Sequence, residues 1–361
     1  MFLMVLVGNI RSTRTSCKKA PQMTKLLTPT LAIALAGTVA TMATAQGELN
    51  LYSSRHYDTD ERLYSDFTDA TGITINRIEG KADELLARMQ AEGANSPADI
   101  LLTVDTSRLA RAKDLGVLQS VDSAILEDRI PPQLQDTDNQ WFGLSQRSRI
   151  IFYNTETVDA PPQTYAALAD PMYKGQICIR SSSNEYNQTL LAAIVTHAGE
   201  DAARDWATGV VANMARDPQG GDTDQLRGIV SGECDISVSN TYYFARAIRT
   251  DVKGVSDSID QIGWLFPDQD GNGAHMNLSG GGVAAYAPNY DNAVKFLEYL
   301  ASDQAQQYFS AGNDEYPVVE GVQLSPSVEK LGSFQADDVD LSAVAKNIAT
   351  AQKIFNEVGW K

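Results

Sequence analysis

The chain has 361 residues, of which 43% are hydrophobic and 21% are charged. This length fits two domains of ordinary size, and the composition excludes disordered, collagenous and coiled-coil proteins. The 46 acidic residues outnumber the 29 basic ones, which gives a formal net charge of −17. Because such a surface repels phosphate backbones and anionic lipids, we predict neither a nucleic-acid partner nor a peripheral membrane partner.

The first 45 residues have a composition of their own. They contain five basic residues and no acidic one. Lys25, the mainly apolar stretch 26–40 and the small residues 43–45 (ATA) are typical of a secretory signal and its cleavage site. We therefore predict that residues 1–45 are a signal peptide, that translation starts at Met23, and that the exported protein begins at Gln46.

Two cysteines, Cys178 and Cys234, remain after this cleavage. An even number of cysteines in an exported protein favours a disulfide bond, since compartments outside the cytoplasm are oxidising. The alternative is a pair of buried free thiols.

The rest of the chain alternates strand-like and helix-like patterns. Short apolar runs mark strands, and apolar residues at intervals of three or four mark helices. In chain order the sequence predicts a strand at 49–51, a helix around 63–70 stopped by Gly72, a strand at 73–78, a helix around 85–89, strands at 99–104 and 177–179, a helix around 190–195, a strand at 235–239, a helix from Tyr242 capped by Asn240 and Thr241, and a helix around 293–300. This alternation predicts an α/β fold with helices on both faces of its sheets. Two lobes are expected, with crossings near 147–150 and 270–275.

Motifs for catalysis are missing from the sequence. It has no glycine-rich phosphate loop, no nucleophile elbow, no paired-histidine zinc signature and no CxxC, so we predict that the protein is not an enzyme. The loop 268–273 begins like a calcium-binding loop, but Ser279 stands where the bidentate glutamate is needed. We predict a turn there instead.

Four tyrosines follow predicted strands and stand at or near the start of helices: Tyr57, Tyr186, Tyr242 and Tyr243. Ligands bind at such carboxyl ends of strands, and the positive end of a helix lowers the cost of ionising a phenol. Phenolate oxygen is a hard anionic ligand, so a phenolate cluster with at most one imidazole suits Fe(III). The alternative is that these aromatic side chains line an apolar cleft and bind a ligand by stacking.

Several segments resemble the periplasmic ferric-iron-binding proteins of bacterial ABC importers. They are 51–57 (LYSSRHY), 97–100 (PADI), Arg180 with Tyr186, and 240–244 (NTYYF). The likeness runs from about Leu49 to the end of the sequence and is greatest to the FutA branch of the family. It implies an α/β solute-binding fold of two lobes, joined by a hinge of crossing strands, that close on the ion.

The resemblance also implies which residues hold the metal. The first lobe would supply Tyr57, and the second would supply Tyr186, Tyr242 and Tyr243. The resemblance also implies His56, which is a ligand in only some relatives. Supporting charges around the ligands would come from Arg55, Arg180 and Arg246. The first lobe is expected to contain 46–148 and about 273–322, and the second 149–272 and about 323–361.

The same resemblance implies a transport function. A monomer in the periplasm would bind Fe(III), and also Fe(II) if the site holds both oxidation states, and deliver it to a permease in the inner membrane. It would have no organic cofactor and no catalytic residue. A receptor for an organic solute or an oxyanion on the same scaffold is the alternative, with Arg55, Arg180 and Arg246 gripping the anion. Colour separates the two, because phenolate-bound Fe(III) absorbs visible light.

Overall fold

The structure, a computed structural model, describes residues 47–55 and 57–361. The predicted signal peptide, Gln46 and His56 lie outside the described residues. Among the helices of the described part, none has the length and apolar character that crossing a membrane requires.

Nine strands in the described residues join into one mixed sheet. They are β1 (Glu48–Ser53), β2 (Thr74–Glu79), β3 (Ile100–Thr103), β4 (Phe142–Asn154), β5 (Ile177–Cys178), β6 (Ile236–Asn240), β7 (Ile262–Leu265), β8 (Met276–Val283) and β9 (Tyr316–Pro317). The order along the sheet is β2-β1-β3-β8-β4-β6-β5, and β7 and β9 also pair with β4. The pairs β1–β2, β1–β3 and β5–β6 are parallel, and the others are antiparallel.

Thirteen α-helices accompany these strands in the described residues. They are α1 (Asp60–Thr71), α2 (Ala82–Glu92), α3 (Thr106–Asp114), α4 (Ala124–Arg129), α5 (Glu185–Ala198), α6 (Glu200–Asn213), α7 (Asp222–Ser231), α8 (Thr241–Arg249), α9 (Tyr290–Leu300), α10 (Asp303–Asn313), α11 (Pro326–Glu329), α12 (Leu341–Lys346) and α13 (Ile348–Val358). Each predicted strand and helix is present, with its ends shifted by a few residues. The long strands β4 and β8 in the middle of the sheet were not predicted.

Buried apolar side chains form three clusters. The first lies around β1, β3 and α9 and includes Phe67 and Phe296, whose rings lie 4.9 Å apart. The second lies around α5, α6 and α13 and includes Trp206. The third lies around β4, α7 and α8 and includes Phe152 and Phe244. Burial of each such aromatic side chain stabilises the fold by roughly 1.5–3 kcal/mol relative to leaving it exposed.

Strand β4 connects these clusters. Between Phe142 and Ser148 it pairs with β8, and between Arg149 and Tyr153 it pairs with β6. Its first part contributes side chains to the first cluster, and its last part contributes to the second and third. The same strand therefore belongs to both halves of the sheet.

The starts and ends of helices test the predicted caps. Gly72 follows α1 in the left-handed conformation (φ 72°), and its N–H donates to the backbone oxygen of Thr68, as predicted for a glycine stop. Asn240 stands directly before α8, but its side chain does not cap the helix. Its Oδ1 instead accepts a hydrogen bond from Nη1 of Arg149 at 3.2 Å. The predicted capping role of Asn240 was wrong, because a buried guanidinium must find acceptors and takes this one.

The loop 268–273 is a turn, as predicted. The N–H groups of Gly271 and Gly273 both donate to the backbone oxygen of Asp268 at 2.9 Å. These bonds close the loop on itself.

Cys178 and Cys234 form a disulfide bond, with their Cα atoms 5.8 Å apart. The bond links β5 to the segment just before β6. The predicted disulfide is confirmed, and the alternative of two free thiols was wrong.

Candidate metal centre

The four predicted tyrosines lie together in the structure. Tyr57 lies in the loop between β1 and α1, Tyr186 is the second residue of α5, and Tyr242 and Tyr243 are the second and third residues of α8. The ring centroids of Tyr57 and Tyr242 are 6.4 Å apart, and those of Tyr242 and Tyr243 are 4.2 Å apart. The hydroxyl of Tyr242 donates to the hydroxyl of Tyr186 at 3.3 Å.

The order of strands and helices explains this meeting. Each tyrosine follows the carboxyl end of a strand, namely β1 for Tyr57, β5 for Tyr186, and β6 for Tyr242 and Tyr243. Because β6 pairs with β5, the helices that follow these two strands begin side by side. The rings of Tyr57 and Tyr242 meet edge to face, at an interplanar angle of 81°, which completes the cluster from the side of β1.

Burial raises the pKa of all four phenols above its ordinary value of 10. After burial, the carboxylate of Glu315 has the strongest effect on the pKa of Tyr57. Each of the other three phenols also has a neighbouring acidic group that raises its pKa. The phenols are therefore neutral at neutral pH. The sequence analysis expected the positive ends of helices to lower the cost of ionising these phenols. Desolvation has the larger effect, and it raises their pKa.

The three predicted arginines each lie over one tyrosine ring. The Cζ atom of Arg55 is 5.0 Å from the ring centroid of Tyr57. The corresponding distance is 5.5 Å for Arg180 and Tyr186, and 5.8 Å for Arg246 and Tyr242. Positive charge thus borders the cluster on several sides, in a position to balance ionised phenols.

A fourth arginine, Arg147 of β4, was missed by the sequence analysis. Its side chain is 1% exposed, and its Cζ lies 5.5 Å from the ring centroid of Tyr186. Nη1 donates to the hydroxyl of Ser279 at 2.9 Å, while Nε and Nη2 have no partner among the described residues. The charge of this guanidinium lowers the pKa of Tyr57 and of Tyr186, against the larger effect of burial. No signal in the sequence marked it, because Arg147 stands in a segment that mixes polar and apolar residues.

Buried carboxylates hold the arginines in place, and these too were missed. Asp60 accepts from Nε of Arg55 at 2.8 Å. Glu315 lies 3.7 Å from Nη1 of the same arginine and accepts from the hydroxyl of Ser145 at 2.6 Å. Asp222, at the start of α7, lies 4.0 Å from Nη1 of Arg180 and accepts from Nη1 of Arg149 at 3.2 Å. With these carboxylates fixed, the guanidinium groups keep their orientation around the tyrosines.

A cavity of about 690 Å³ opens beside the cluster. It lies between the carboxyl ends of β1 and β3 and the start of α5, and its lining includes Arg55 and Glu185. Its position at strand ends matches the usual place of ligand sites in α/β folds. Charged side chains line much of this cavity, and none of the four tyrosines is among its lining residues.

The donor atoms of the cluster are phenol oxygens. Within residues 47–55 and 57–361, no group of three or more His, Cys, Asp or Glu is placed to hold a metal ion. Zinc, copper and calcium prefer imidazole, thiolate or carboxylate ligands. Four phenolates suit a hard cation of high charge.

Comparison with known proteins identifies relatives along most of the chain. Residues 62–336 match the family described as bacterial extracellular solute-binding protein. Iron uptake protein A1 of Synechocystis sp. is 50% identical over 317 residues, which are 88% of each chain. Trichodesmium FutA (IdiA), solved in complex with iron and citrate, is 48% identical with a TM-score of 0.83 and covers 87% of this chain and 100% of its own. The ferric binding protein from Campylobacter jejuni is 40% identical with the same TM-score, 0.83, and the same coverage, 87% and 100%.

These similarities confirm the resemblance found in the sequence. They also confirm the predicted fold class, an α/β fold of two lobes shared with the periplasmic ferric-binding proteins. The chain belongs to the family of bacterial extracellular solute-binding proteins.

Proposed function

We propose that this protein binds Fe(III) in the periplasm and delivers it to the permease of an ABC importer. The observation that carries the proposal is the meeting of four phenol side chains, those of Tyr57, Tyr186, Tyr242 and Tyr243. The names of the relatives support it, since the protein from Synechocystis is an iron uptake protein and the one from Campylobacter jejuni is a ferric binding protein.

The proposed ligands are the four phenolate oxygens. Because burial raises the pKa of each phenol, the protons stay in place until a cation of high charge displaces them. Fe(III) is the abundant hard cation that meets this requirement. Fe(II) has one charge fewer and repays less of the cost of ionising buried phenols, so we propose that it binds more weakly.

The proposed site has an excess of negative charge. Four phenolates around a trivalent ion leave one net negative charge, and this charge lies where water is largely excluded. Arg147 is fully buried next to Tyr186 and is the group best placed to offset it. Arg55, Arg180 and Arg246 border the other sides.

His56 is proposed as a neutral fifth ligand. It stands next to Tyr57 in the sequence. A neutral imidazole adds a donor atom without adding negative charge, which suits a site that already holds four anions.

Two lobes are proposed to close around the ion, the first formed by 46–148 and about 273–322, the second by 149–272 and about 323–361. The three hydrophobic clusters support this division, because the first draws mainly on the first set of residues and the other two mainly on the second. Strand β4 would be part of the hinge, since it runs from one set to the other. Tyr57 then comes from one lobe and the other three tyrosines from the second.

The remaining parts of the proposal follow from the role of a carrier. Residues 1–45 act as the signal peptide, with translation from Met23, and the mature protein is a monomer that diffuses in the periplasm. It performs no catalysis and needs no organic cofactor.

One experiment tests the function directly. The protein is purified without chelators, loaded with Fe(III) citrate, desalted, and examined by metal analysis and visible spectroscopy. We expect one iron per chain and a broad visible band from phenolate-to-Fe(III) charge transfer. A colourless protein without iron after this treatment contradicts the proposal.

A second candidate function is a receptor for an oxyanion or an organic acid. The observation that favours it is Arg147, whose buried Nε and Nη2 have no partner among the described residues and could donate to an anion. Calorimetry with phosphate, citrate and carbonate in the absence of iron tests it. Tight binding of one of these anions by colourless protein supports the receptor for anions over the iron carrier.

A further inference from the structure

The disulfide between Cys178 and Cys234 joins the two segments that carry three of the four tyrosines. Each cysteine lies eight residues before a tyrosine of the cluster, Cys178 before Tyr186 and Cys234 before Tyr242. One segment leaves the end of β5 at Cys178, the other runs from Cys234 through β6, and they end at two hydroxyls 3.3 Å apart. The disulfide therefore ties together one end of a pair of segments whose other ends meet in the site.

Strand β5 is short, and few backbone pairs hold it in place. It consists of two residues, and among the nine strands only β6 pairs with it. Two pairs, Ile177 with Ile236 and Cys178 with Ser237, join it to β6, and on its other side Ile177 forms a single bridge with Met214. Because so short a strand at the edge of a sheet makes few hydrogen bonds, a covalent bond beside it has a large share in fixing its position.

Helix α7 connects the disulfide to the start of α8. Gly228 of α7 packs directly on the two sulfurs, since a Cβ atom there would lie 2.8 Å from Sγ of Cys234 and 3.0 Å from Sγ of Cys178. At the other end of α7, Asp222 accepts from the backbone N–H of Asn240 at 3.2 Å. Asn240 directly precedes the helix that holds the tyrosine pair. Displacement of the disulfide would therefore move α7, and with it the Asp222 carboxylate that accepts a hydrogen bond from the residue before α8.

The burial of the two cysteines indicates whether their bond is a permanent structural disulfide or a redox switch. The two cysteines are 0% and 2% exposed. A thiolate must reach a sulfur atom to reduce a disulfide, so a bond buried to this degree resists exchange. This disulfide is suited to a permanent role.

We infer that Cys178 and Cys234 are positioning residues for the proposed iron site. Their bond holds Tyr186 at the distance from Tyr242 and Tyr243 that a shared ion requires. The inference rests on the proposed function, because it concerns the same four phenolates. It goes further in giving the disulfide a role in ligand geometry besides its role in stability.

The test is the double variant Cys178→Ala/Cys234→Ala, which removes the bond without leaving free thiols. We expect the variant to fold, as judged by circular dichroism, and to bind Fe(III). We also expect its charge-transfer band to shift in wavelength and its iron to pass to a chelator at least about tenfold faster than from the wild type, as for the loss of a group that orients metal ligands. The shifted band is the decisive readout, since a loss of stability alone does not change ligand geometry.

A matched control separates position from stability. Leu300→Ala removes a buried side chain from α9 in the first cluster, away from both segments, and lowers stability without touching the site. We expect it to keep the wild-type band and release rate. An unchanged band and release rate in the double cysteine variant overturn the inference, and so do equal changes in the control.

Two further outcomes are also decisive. If the double alanine variant does not fold, Cys178→Val/Cys234→Ala refills part of the space and is tested in the same way. If that variant also fails to fold, the disulfide is required for folding and the positioning role is overturned. A wild-type protein that shows no band under the same conditions refutes the proposed function instead.

Discussion

The hydroxyl of Tyr242 donates a hydrogen bond to the hydroxyl of Tyr186 across 3.3 Å, in a place where both side chains are almost fully buried. Two phenols that share one hydrogen bond satisfy only part of their capacity, since each hydroxyl can donate once and accept twice. A cation between them would replace the shared proton with a stronger interaction. This pair is therefore the natural starting point for testing the site.

Removal of one phenol oxygen tests ligation without disturbing packing. We expect Tyr242→Phe to keep its ring contact with Tyr243, at a centroid distance of 4.2 Å, while it loses a ligand. Iron affinity, measured by competition with citrate, should fall by more than about 100-fold, the upper end for loss of a group that merely supports a ligand. The visible band should shift or vanish.

Tyr299→Phe is the matched control for this change. Tyr299 packs on Phe67 in the first cluster, and its hydroxyl has no partner among the described residues. We expect this variant to bind iron as the wild type does. If Tyr242→Phe and Tyr299→Phe behave alike, Tyr242 is not a ligand.

Acid should weaken iron binding. Each phenol must lose its proton to bind the ion, and burial raises the pKa of all four, so protons compete with Fe(III) across the neutral range. As the pH falls, a larger fraction of the phenols is protonated, so the apparent affinity for Fe(III) falls. Competition titrations with a chelator at several pH values, corrected for protonation of the chelator, measure this slope. An affinity that stays constant from pH 8 to pH 5 contradicts phenolate ligation.

The sequence analysis located the tyrosines because their signal is local. A tyrosine that lies between a strand and the first turn of the next helix can be recognised from a few neighbouring residues, and Tyr186, Tyr242 and Tyr243 all have this form. The same kind of local signal identified β1, β5 and β6. The tyrosines that meet in the structure could therefore be selected from the sequence.

The charges that come from distant parts of the chain could not be found in this way. Arg147 reaches the site from the middle of β4, and Glu315 reaches it from the segment between α10 and β9, more than 200 residues after Tyr57. Their positions depend on how the sheet folds back on itself, which no local pattern records. The capping role predicted for Asn240 failed for the same reason, because the competing donor on Arg149 comes from another strand.

Closure of the lobes should accompany binding. If ligands come from both lobes, Fe(III) binds the closed form more tightly and shifts the population toward it. Small-angle scattering of iron-free and iron-loaded protein should then show a smaller radius of gyration with iron. Tyr57→Phe serves as the control, because it removes the ligand proposed for the first lobe and should reduce the change. An identical radius with and without iron in the wild type speaks for a site formed by one lobe alone.

Neutralising the charge of Arg147 should weaken iron binding without removing a ligand. Arg147→Gln leaves the excess negative charge of the loaded site without its buried counterpart, so we expect an affinity about 10–100-fold lower. Arg147→Lys keeps the positive charge and should recover part of the loss, although it lacks the planar fork of the guanidinium. The same citrate competition measures both variants.

Arg204→Gln is the control for the loss of an arginine. Arg204 lies on the surface, where it pairs with Asp201 and Glu357. We expect this variant to retain wild-type affinity. Equal losses in Arg147→Gln and Arg147→Lys would show that shape, and not charge, is what Arg147 supplies.

His275 should make the fold sensitive to acid, independently of iron. Its side chain is 1% exposed, both ring nitrogens lack a partner among the described residues, and burial together with the charge of Arg149 lowers its pKa to about 3. The unfolded chain binds a proton at this histidine near pH 6.5, whereas the folded chain does not until about pH 3. The stability that His275 contributes is therefore fully present above pH 6.5 and declines as the pH falls toward 3, with a loss of about 2–3 kcal/mol by pH 4.5.

Urea unfolding of the iron-free protein at pH 7 and pH 4.5 measures this loss, and His275→Gln should reduce it by that amount, because glutamine does not titrate. His197→Gln is the control. His197 lies at the end of α5, is partly exposed, and has its Nε2 2.9 Å from Asp337. This variant should leave the contribution of His275 intact. If His275→Gln shows the same difference between the two pH values as the wild type, another group is responsible for the acid sensitivity.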